Sequence, residues 1–241
     1  MTGAPASLAL RGGVIAAGHG TRLKRDGFRV SKPMTPVGGR PLIEHVLDRF
    51  RAIGVREATI IVNEDSDDSH RWLSDHIGMD LDVIVRTTPS SYASFELVAA
   101  RLAGAPALIT TVDSIMPIDA FRQFACSAAS FPDDAVVLGL TEHVDDENPL
   151  WATPNKDGRI RRLGADSGTH VTAGLYWLPA HRVAAPREGF GRLRDYLKWL
   201  VDQGCPVYGV VLPLVFDIDR GRDVEAAEQA GVSGRPENAG A

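Results

Sequence analysis

From residue 14 to residue 140 the sequence alternates short apolar runs with longer stretches of helical periodicity, and that rhythm limits the folds open to it. Residues 14–17, 58–62, 81–85, 106–112 and 135–140 each read as a buried strand, short and apolar. Between the first two, Leu42, Ile43, Val46, Leu47, Phe50 and Ile53 recur at helical spacing after Pro41, and Gly54 follows as a stop. Residues 66–77, 90–102 and 117–129 read as further helices. The first of these opens on Asp67 and Asp68, carboxylates that suit the positive end of a helix. Regular strand–helix alternation implies a mostly parallel sheet, right-handed crossovers and helices on both faces. The expected class is α/β.

After residue 140 the rhythm changes. Asp157-Gly158 lies between two strand-like runs, 150–153 and 159–163, which is a β-hairpin signal. A strand over 171–178, an amphipathic helix over 191–203, strands over 206–212 and 215–218, and a helix over 223–230 complete the reading. At 241 residues the chain fits one large domain, taken here as 1–231, with 232–241 a flexible polar tail. Cys126 and Cys205 lie in no ligand spacing and read as buried small apolar residues in a reducing compartment. The N-terminus lacks a signal-peptide pattern, and no apolar run reaches the roughly 18–20 residues of a membrane span. A cytoplasmic location without a membrane partner is expected.

The chemistry concentrates in residues 13–42. An apolar strand runs into Gly18-His19-Gly20-Thr21-Arg22, and Lys32-Pro33-Met34 follows ten residues after the arginine. Leu23 occupies the third glycine position of a G-x-G-x-x-G fingerprint, and the spacing is not that of a P-loop. The basic segment and its prolines argue against immediate passage into a helix, so residues 18–40 read as a long functional loop. The net charge is −5, yet residues 11–40 hold seven Arg or Lys and one acid, a local +6. A basic site on an acidic chain suits a small anionic ligand and argues against a nucleic-acid partner. Small residues beside fixed cations suit a polyphosphate.

Ala16-Ala17-Gly18-His19-Gly20-Thr21-Arg22-Leu23, then residues 31–46 (SKPMTPVGGRPLIEHV), resemble the signature of the sugar-phosphate nucleotidylyltransferases and related nucleoside-triphosphate transferases. The likeness extends, more weakly, through a strand ending in Asp113 and Thr172-Ala173-Gly174-Leu175-Tyr176 to a closing segment that carries Asp217 and reaches Glu228. The resemblance implies a Rossmann-like three-layer α/β/α sandwich of the nucleotide-diphospho-sugar transferase type, with the hairpin as a small insertion. It also implies a reaction: transfer of a nucleoside monophosphate from a nucleoside triphosphate to a sugar 1-phosphate or similar phosphorylated acceptor, releasing pyrophosphate. Mg2+ is the implied cofactor.

In such a reaction the nucleophile is already an ionised phosphate, so positioning and charge neutralisation do most of the work. The resemblance places the triphosphate against Ala16, Ala17, Gly18, Gly20 and Thr21. Arg22 is placed on the β/γ-phosphates, and Lys32 between the α-phosphate and the incoming phosphate. It makes Asp113 a metal ligand, with Asp217 or Asp219 opposite. Asp219 could equally cap the helix that follows. Ser90 and Ser91 are candidates for base or ribose, or simply for a capped helix start. Thr172 and Gly174 fall on the acceptor side. The Glu-Lys-Pro that precedes them in many sugar-nucleotide enzymes is missing here, where residues 163–167 read Leu-Gly-Ala-Asp-Ser. Asp166, His170 or Lys156 could substitute, or the acceptor is not an ordinary hexose 1-phosphate.

Several features read blandly. The acidic runs 64–68 and 145–147 suit solvated loops, and the histidines fall at no zinc spacing. Trp72, Trp151, Trp177 and Trp199 suit packing, although a quaternary-ammonium acceptor would need such a cage. Three alternatives stay open: the same chemistry on phosphocholine, a phosphonate or a cofactor phosphate; a non-catalytic nucleotide-binding subunit; and a transferase using a nucleotide-sugar donor. The oligomeric state is not legible.

Overall fold

The computed structural model describes residues 10–144, 148–183 and 189–232. The chain opens with β1 (Arg11–Ala16), the short helix α1 (Thr21–Arg25) and a 3-10 turn at Lys32–Met34. The two-residue strands β2 (Pro36–Val37) and β3 (Arg40–Pro41) then pair and lead into α2 (Leu42–Ala52). β4 (Glu57–Val62), α3 (Asp67–Ser74), β5 (Asp80–Val85), α4 (Ser91–Leu102), β6 (Ala107–Thr111), β7 (Ser114–Ile115) and α5 (Ile118–Ala128) keep the alternation. β8 (Val136–Thr141), β9 (Trp151–Pro154), β10 (Ile160–Ala165) and β11 (His170–Leu178) follow. α6 (Ala180–Val183), α7 (Leu193–Asp202), β12 (Val207–Val211), β13 (Phe216–Asp217) and α8 (Gly221–Gln229) close the chain.

The main sheet runs β10-β9-β11-β6-β1-β4-β5, with β8 on the other edge of β11 and β12 beyond it. β1, β4, β5, β6, β8, β9 and β12 point one way, and β10 and β11 oppose them. The sheet is mostly parallel, and its central strands are apolar because both faces are covered. β1 shows this residue by residue. Val14 and Ala16 face a core formed with α2, α5 and α8, whereas Ile15 and Ala17 face a core formed with α4, α6 and α7. Period-two alternation thus divides one strand between two hydrophobic layers.

The hairpin forms as read, with Gly158 at φ +81° and the Gly158 N–H donating to the Asn155 carbonyl. Four expectations change. The stretch 18–40 is not all loop: the chain enters α1 directly after Gly20. Gly20 adopts the left-handed conformation that turns the chain, and buried Leu23 anchors the short helix. The run 215–218 forms a strand only at Phe216–Asp217, paired with β7 outside the main sheet. Cys126 is exposed, because the inward stripe of α5 is Phe121, Phe124, Ala125 and Ala128. Val232, assigned to the tail, is 6% exposed and packs in the core; residues 233–241, like the acidic run 145–147, lie outside the described residues.

Candidate active site

The site forms where the parallel strands end, the edge at which open α/β sheets bind ligands. β1 delivers residues 17–20 there, and β6 delivers Asp113 in the turn before β7. β13 returns beside β7, with Asp217 opposite Ser114 and the Ile218 N–H donating to the Asp113 carbonyl at 3.0 Å. Two segments a hundred residues apart are thereby held by one small ladder. The Asp219 N–H folds back onto the Asp217 carbonyl, so Asp219 turns inward from beyond the strand rather than along it. One oxygen each from Asp113, Asp217 and Asp219 lies within 4.8 Å of the others.

Lys32 enters this cluster from the 3-10 turn. Its Nζ donates to Asp113 Oδ2 at 2.6 Å and also to Asp219 Oδ1. Arg22 pairs with the other oxygen of Asp219 at 2.9 Å. Lys32 is only 8% exposed, and burial alone would lower its pKa. Asp113, Asp219 and Asp217 reverse that effect and hold it well above the ordinary lysine range. Burial would likewise raise the Asp113 carboxyl, but Lys32 pulls it below its usual range. Burial and the charges of Asp113 and Asp217 push the Tyr176 phenol up. Lys32 and Asp113 therefore hold each other in their charged forms at neutral pH.

Local chemistry explains the close approach. A Cβ on Gly20 would stand 3.0 Å from Lys32 Cβ, so glycine both makes the turn and admits the lysine backbone. Asp68 accepts the Ser31 N–H at 2.8 Å and anchors the residue before Lys32. Burial would raise this carboxyl, yet its hydrogen bonds with Ser31 lower it, so one acid of the run 64–68 has a structural task. Asp219 does not cap α8. Asp223 does, accepting the N–H groups of Asp219 and Arg220 at 3.0 and 2.7 Å.

Two cavities flank the acidic cluster. One, of about 280 Å³, is lined by Ala17, Gly18, His19, Lys32, Asp113 and the segment 88–91 with Ser94. Ser90 and Ser91 thus face it, although Ser90 also caps α4 by accepting the Ala93 N–H and Ser91 accepts the Leu193 N–H. Ala16 lies behind this cavity with its methyl in the core, and Thr21 lies exposed at the start of α1. The second cavity, of about 160 Å³, is lined among others by Thr141, His143, Thr172, Gly174, Arg194 and Asp217, with Tyr176. Gly174 sits in a bulge of β11 at φ +64°. A Cβ there would fall 2.1 Å from Ser114 Oγ and 2.4 Å from Thr111 Oγ1.

Asp166 and Lys156 are exposed, and neither they nor His170 line either cavity. The cation that does reach the second cavity is Arg194, from the first turn of α7. Sequence reasoning missed it, because an arginine off the apolar stripe of an amphipathic helix looks like any solvated cation. None of the four tryptophans lines either cavity among the described residues. No helix among them is long and apolar enough to cross a membrane.

A parallel-sheet α/β fold with a paired cation and three carboxylates at the strand ends defines a class, the nucleotidyltransferases of Rossmann-like architecture. Residues 12–198 match the MobA-like NTP transferase domain, and the chain belongs to that family. It is similar in structure to the inositol-1-phosphate CTP transferase from T. maritima. The TM-score is 0.77 at 21% identity, over 94% of this chain and 99% of that one. It is also similar to a putative glucose-1-phosphate thymidylyltransferase from Bacillus anthracis, with TM-score 0.82 and 15% identity over 95% and 97% of the two chains. In sequence it is 35% identical over 89 residues to the CMP-5'-(3-aminopropyl)phosphonate synthase of Streptomyces rubellomurinus. That segment is 36% of this chain and 14% of that protein, so the chain spans a small part of its curated relative.

Proposed function

We propose that the chain transfers a nucleoside monophosphate from a nucleoside triphosphate to a small phosphorylated acceptor, releasing pyrophosphate, with Mg2+ as cofactor. One observation carries the reading. The Lys32–Asp113–Asp217–Asp219 cluster contributes to both cavities, with Lys32 and Asp113 lining one and Asp217 lining the other. A reaction that joins two substrates needs such a junction. The triphosphate takes the cavity of Gly18 and His19, with its base toward Ser90 and Ser91. The acceptor takes the cavity of Thr172 and Gly174. The domain is read as one unit from residue 1 to residue 231.

Three clustered carboxylates offer hard oxygen donors at a spacing that suits Mg2+. Asp113 and Asp217 would hold it, with Asp219 as the further candidate, and the ion would supply charge withdrawal from the α-phosphate. The chain's own residues do the rest. An acceptor phosphate oxygen forms a bond to the α-phosphorus while the bond to the bridging oxygen of pyrophosphate breaks. Lys32, between the two cavities, neutralises charge on the α-phosphate and the incoming oxygen. Arg22 holds the departing phosphates. Both cations now rest on Asp219 or Asp113, so they exchange carboxylate partners for phosphate ones.

On the acceptor side Arg194 takes the role that the missing Glu-Lys leaves open, pairing with the acceptor's anionic group. The hydroxyls of Thr141, Thr172 and Tyr176 suit a hydroxylated acceptor such as a sugar or cyclitol phosphate. A phosphonate acceptor is the second reading, favoured by the missing Glu-Lys and by the likeness to a phosphonate synthase. The test is a pyrophosphate-release screen of five nucleoside triphosphates against phosphate and phosphonate acceptors, with and without Mg2+. Release that needs acceptor and Mg2+ together supports the proposal. Tight triphosphate binding without release from any acceptor would point to a non-catalytic subunit.

A further inference from the structure

Arg49 is a buried charge that the reaction does not use. It lies on α2 among Val46, Leu47 and Phe50, and is 3% exposed. Its Nε donates to the Met116 carbonyl at 2.9 Å, and its Nη1 makes a longer bond to the Ser114 carbonyl at 3.4 Å. Burial pushes its pKa down to about 9, with Asp48 opposing, so it stays protonated at neutral pH. Both bonds go to backbone oxygens rather than to a carboxylate. A cation buried on such terms gives up its hydration without an ionic partner in return. It calls for a reason beyond packing.

The reason lies in which carbonyls it takes. Alternate carbonyls along a strand point the same way. The Asp113 carbonyl faces β13, accepting from Ile218, so those of Ser114 and Met116 face away from β13. On that free edge the guanidinium stands where a further strand would stand. It closes the outer side of the ladder that holds Asp113 beside Asp217, and ties it to α2. That helix continues the chain segment carrying Lys32.

We propose that Arg49 is a positioning residue that fixes the spacing of Asp113 and Asp217, and hence the affinity of that pair for a divalent cation. This rests on the metal reading given above. Lysine at this position could reach one carbonyl, and methionine neither.

The test is Mn2+ binding to the full chain, without nucleotide, followed by electron paramagnetic resonance for wild type, Arg49→Lys and Arg49→Met. Outer-shell substitutions cost about 10–100-fold in metal affinity. Arg49→Met is expected in that range and Arg49→Lys between it and wild type, both measured well below their melting temperatures. A merely structural role would lower the melting temperature and leave Mn2+ affinity of the folded protein unchanged, and that result overturns the inference. If Arg49→Met does not fold, Arg49→Lys decides: weaker binding supports the inference, and wild-type affinity overturns it. Absence of Mn2+ binding by the wild-type protein would overturn the metal reading, and the inference with it. Equal binding by all three would overturn the inference alone.

Discussion

The two cavities beside the acidic cluster, donor and acceptor on the proposed reading, are built in different ways. The donor side comes from three short runs, the end of β1 through His19, residues 88–94 at the start of α4, and Val112-Asp113, with Lys32 added. Gly20 is set by its close approach to Lys32, and Lys32 and Arg22 are both held by Asp219, so residues 18–32 constrain one another. The acceptor side is assembled from six separated pieces: the ends of β6 and β8, Pro149-Leu150 before β9, the bulge of β11, Arg194 on α7 and Asp217 after β12. No local pattern links them. A fixed triphosphate grip needs one geometry for every acceptor, whereas an acceptor pocket made of independent pieces can change one residue at a time.

If that contrast is right, the largest effect should follow from Lys32→Ala, since Lys32 serves both sides. Loss of one fixed donor to transition-state charge costs about 10²–10³-fold in turnover. Arginine should not restore it, because a planar guanidinium cannot place the compact point charge that Lys32 holds between Asp113 and Asp219. Steady-state pyrophosphate release measures both variants. Arg194→Ala should separate the two sides. A lost hydrogen bond between charged groups costs about 1.5–3 kcal/mol, and it should appear as weaker acceptor affinity with the triphosphate KM unchanged. An equal rise in both KM values would break the comparison.

Gly174→Ala tests the acceptor side through stability. Two hydroxyls occupy the space of the new methyl and the backbone is left-handed, so the variant should lose about 1–3 kcal/mol in denaturant unfolding. The smallest effect concerns His45 on α2, whose Nε2 meets the Val37 carbonyl at 2.9 Å. Burial, with Arg49 and Arg40, depresses its pKa against the opposing hydrogen bond. The unfolded chain therefore takes up a proton near pH ~6.5 that the folded chain refuses. Stability should be full above that pH and fall as pH is lowered toward the depressed value. His45→Gln should flatten the melting-temperature profile between about pH 7 and 5.

The same contrast explains what the sequence disclosed. Strand and helix order was legible because the apolar period changes between 2 and 3.6 along the chain. Lys32 was legible because Lys32-Pro33 stands ten residues after Arg22 in a run that resembles a family signature. α1 was hidden, since five residues held by Leu23 alone carry no periodic signal. Arg194 was hidden because helix position, not residue type, aims it at the cavity. Arg49 did leave a trace: a charge within the apolar stripe of Val46, Leu47 and Phe50 is unusual enough to mark a buried task. The bulge at Gly174 could not be inferred, because the hydroxyls that require glycine come from residues 111 and 114.

The most direct test is anomalous diffraction from crystals holding Mn2+, an unreactive triphosphate analogue and an acceptor phosphate. The account predicts one Mn2+ peak between Asp113 and Asp217, with Lys32 released from Asp219 onto the α-phosphate and the two ligands in separate cavities. A peak elsewhere, or a triphosphate lying across the cavity of Arg194 and Thr172, would contradict it.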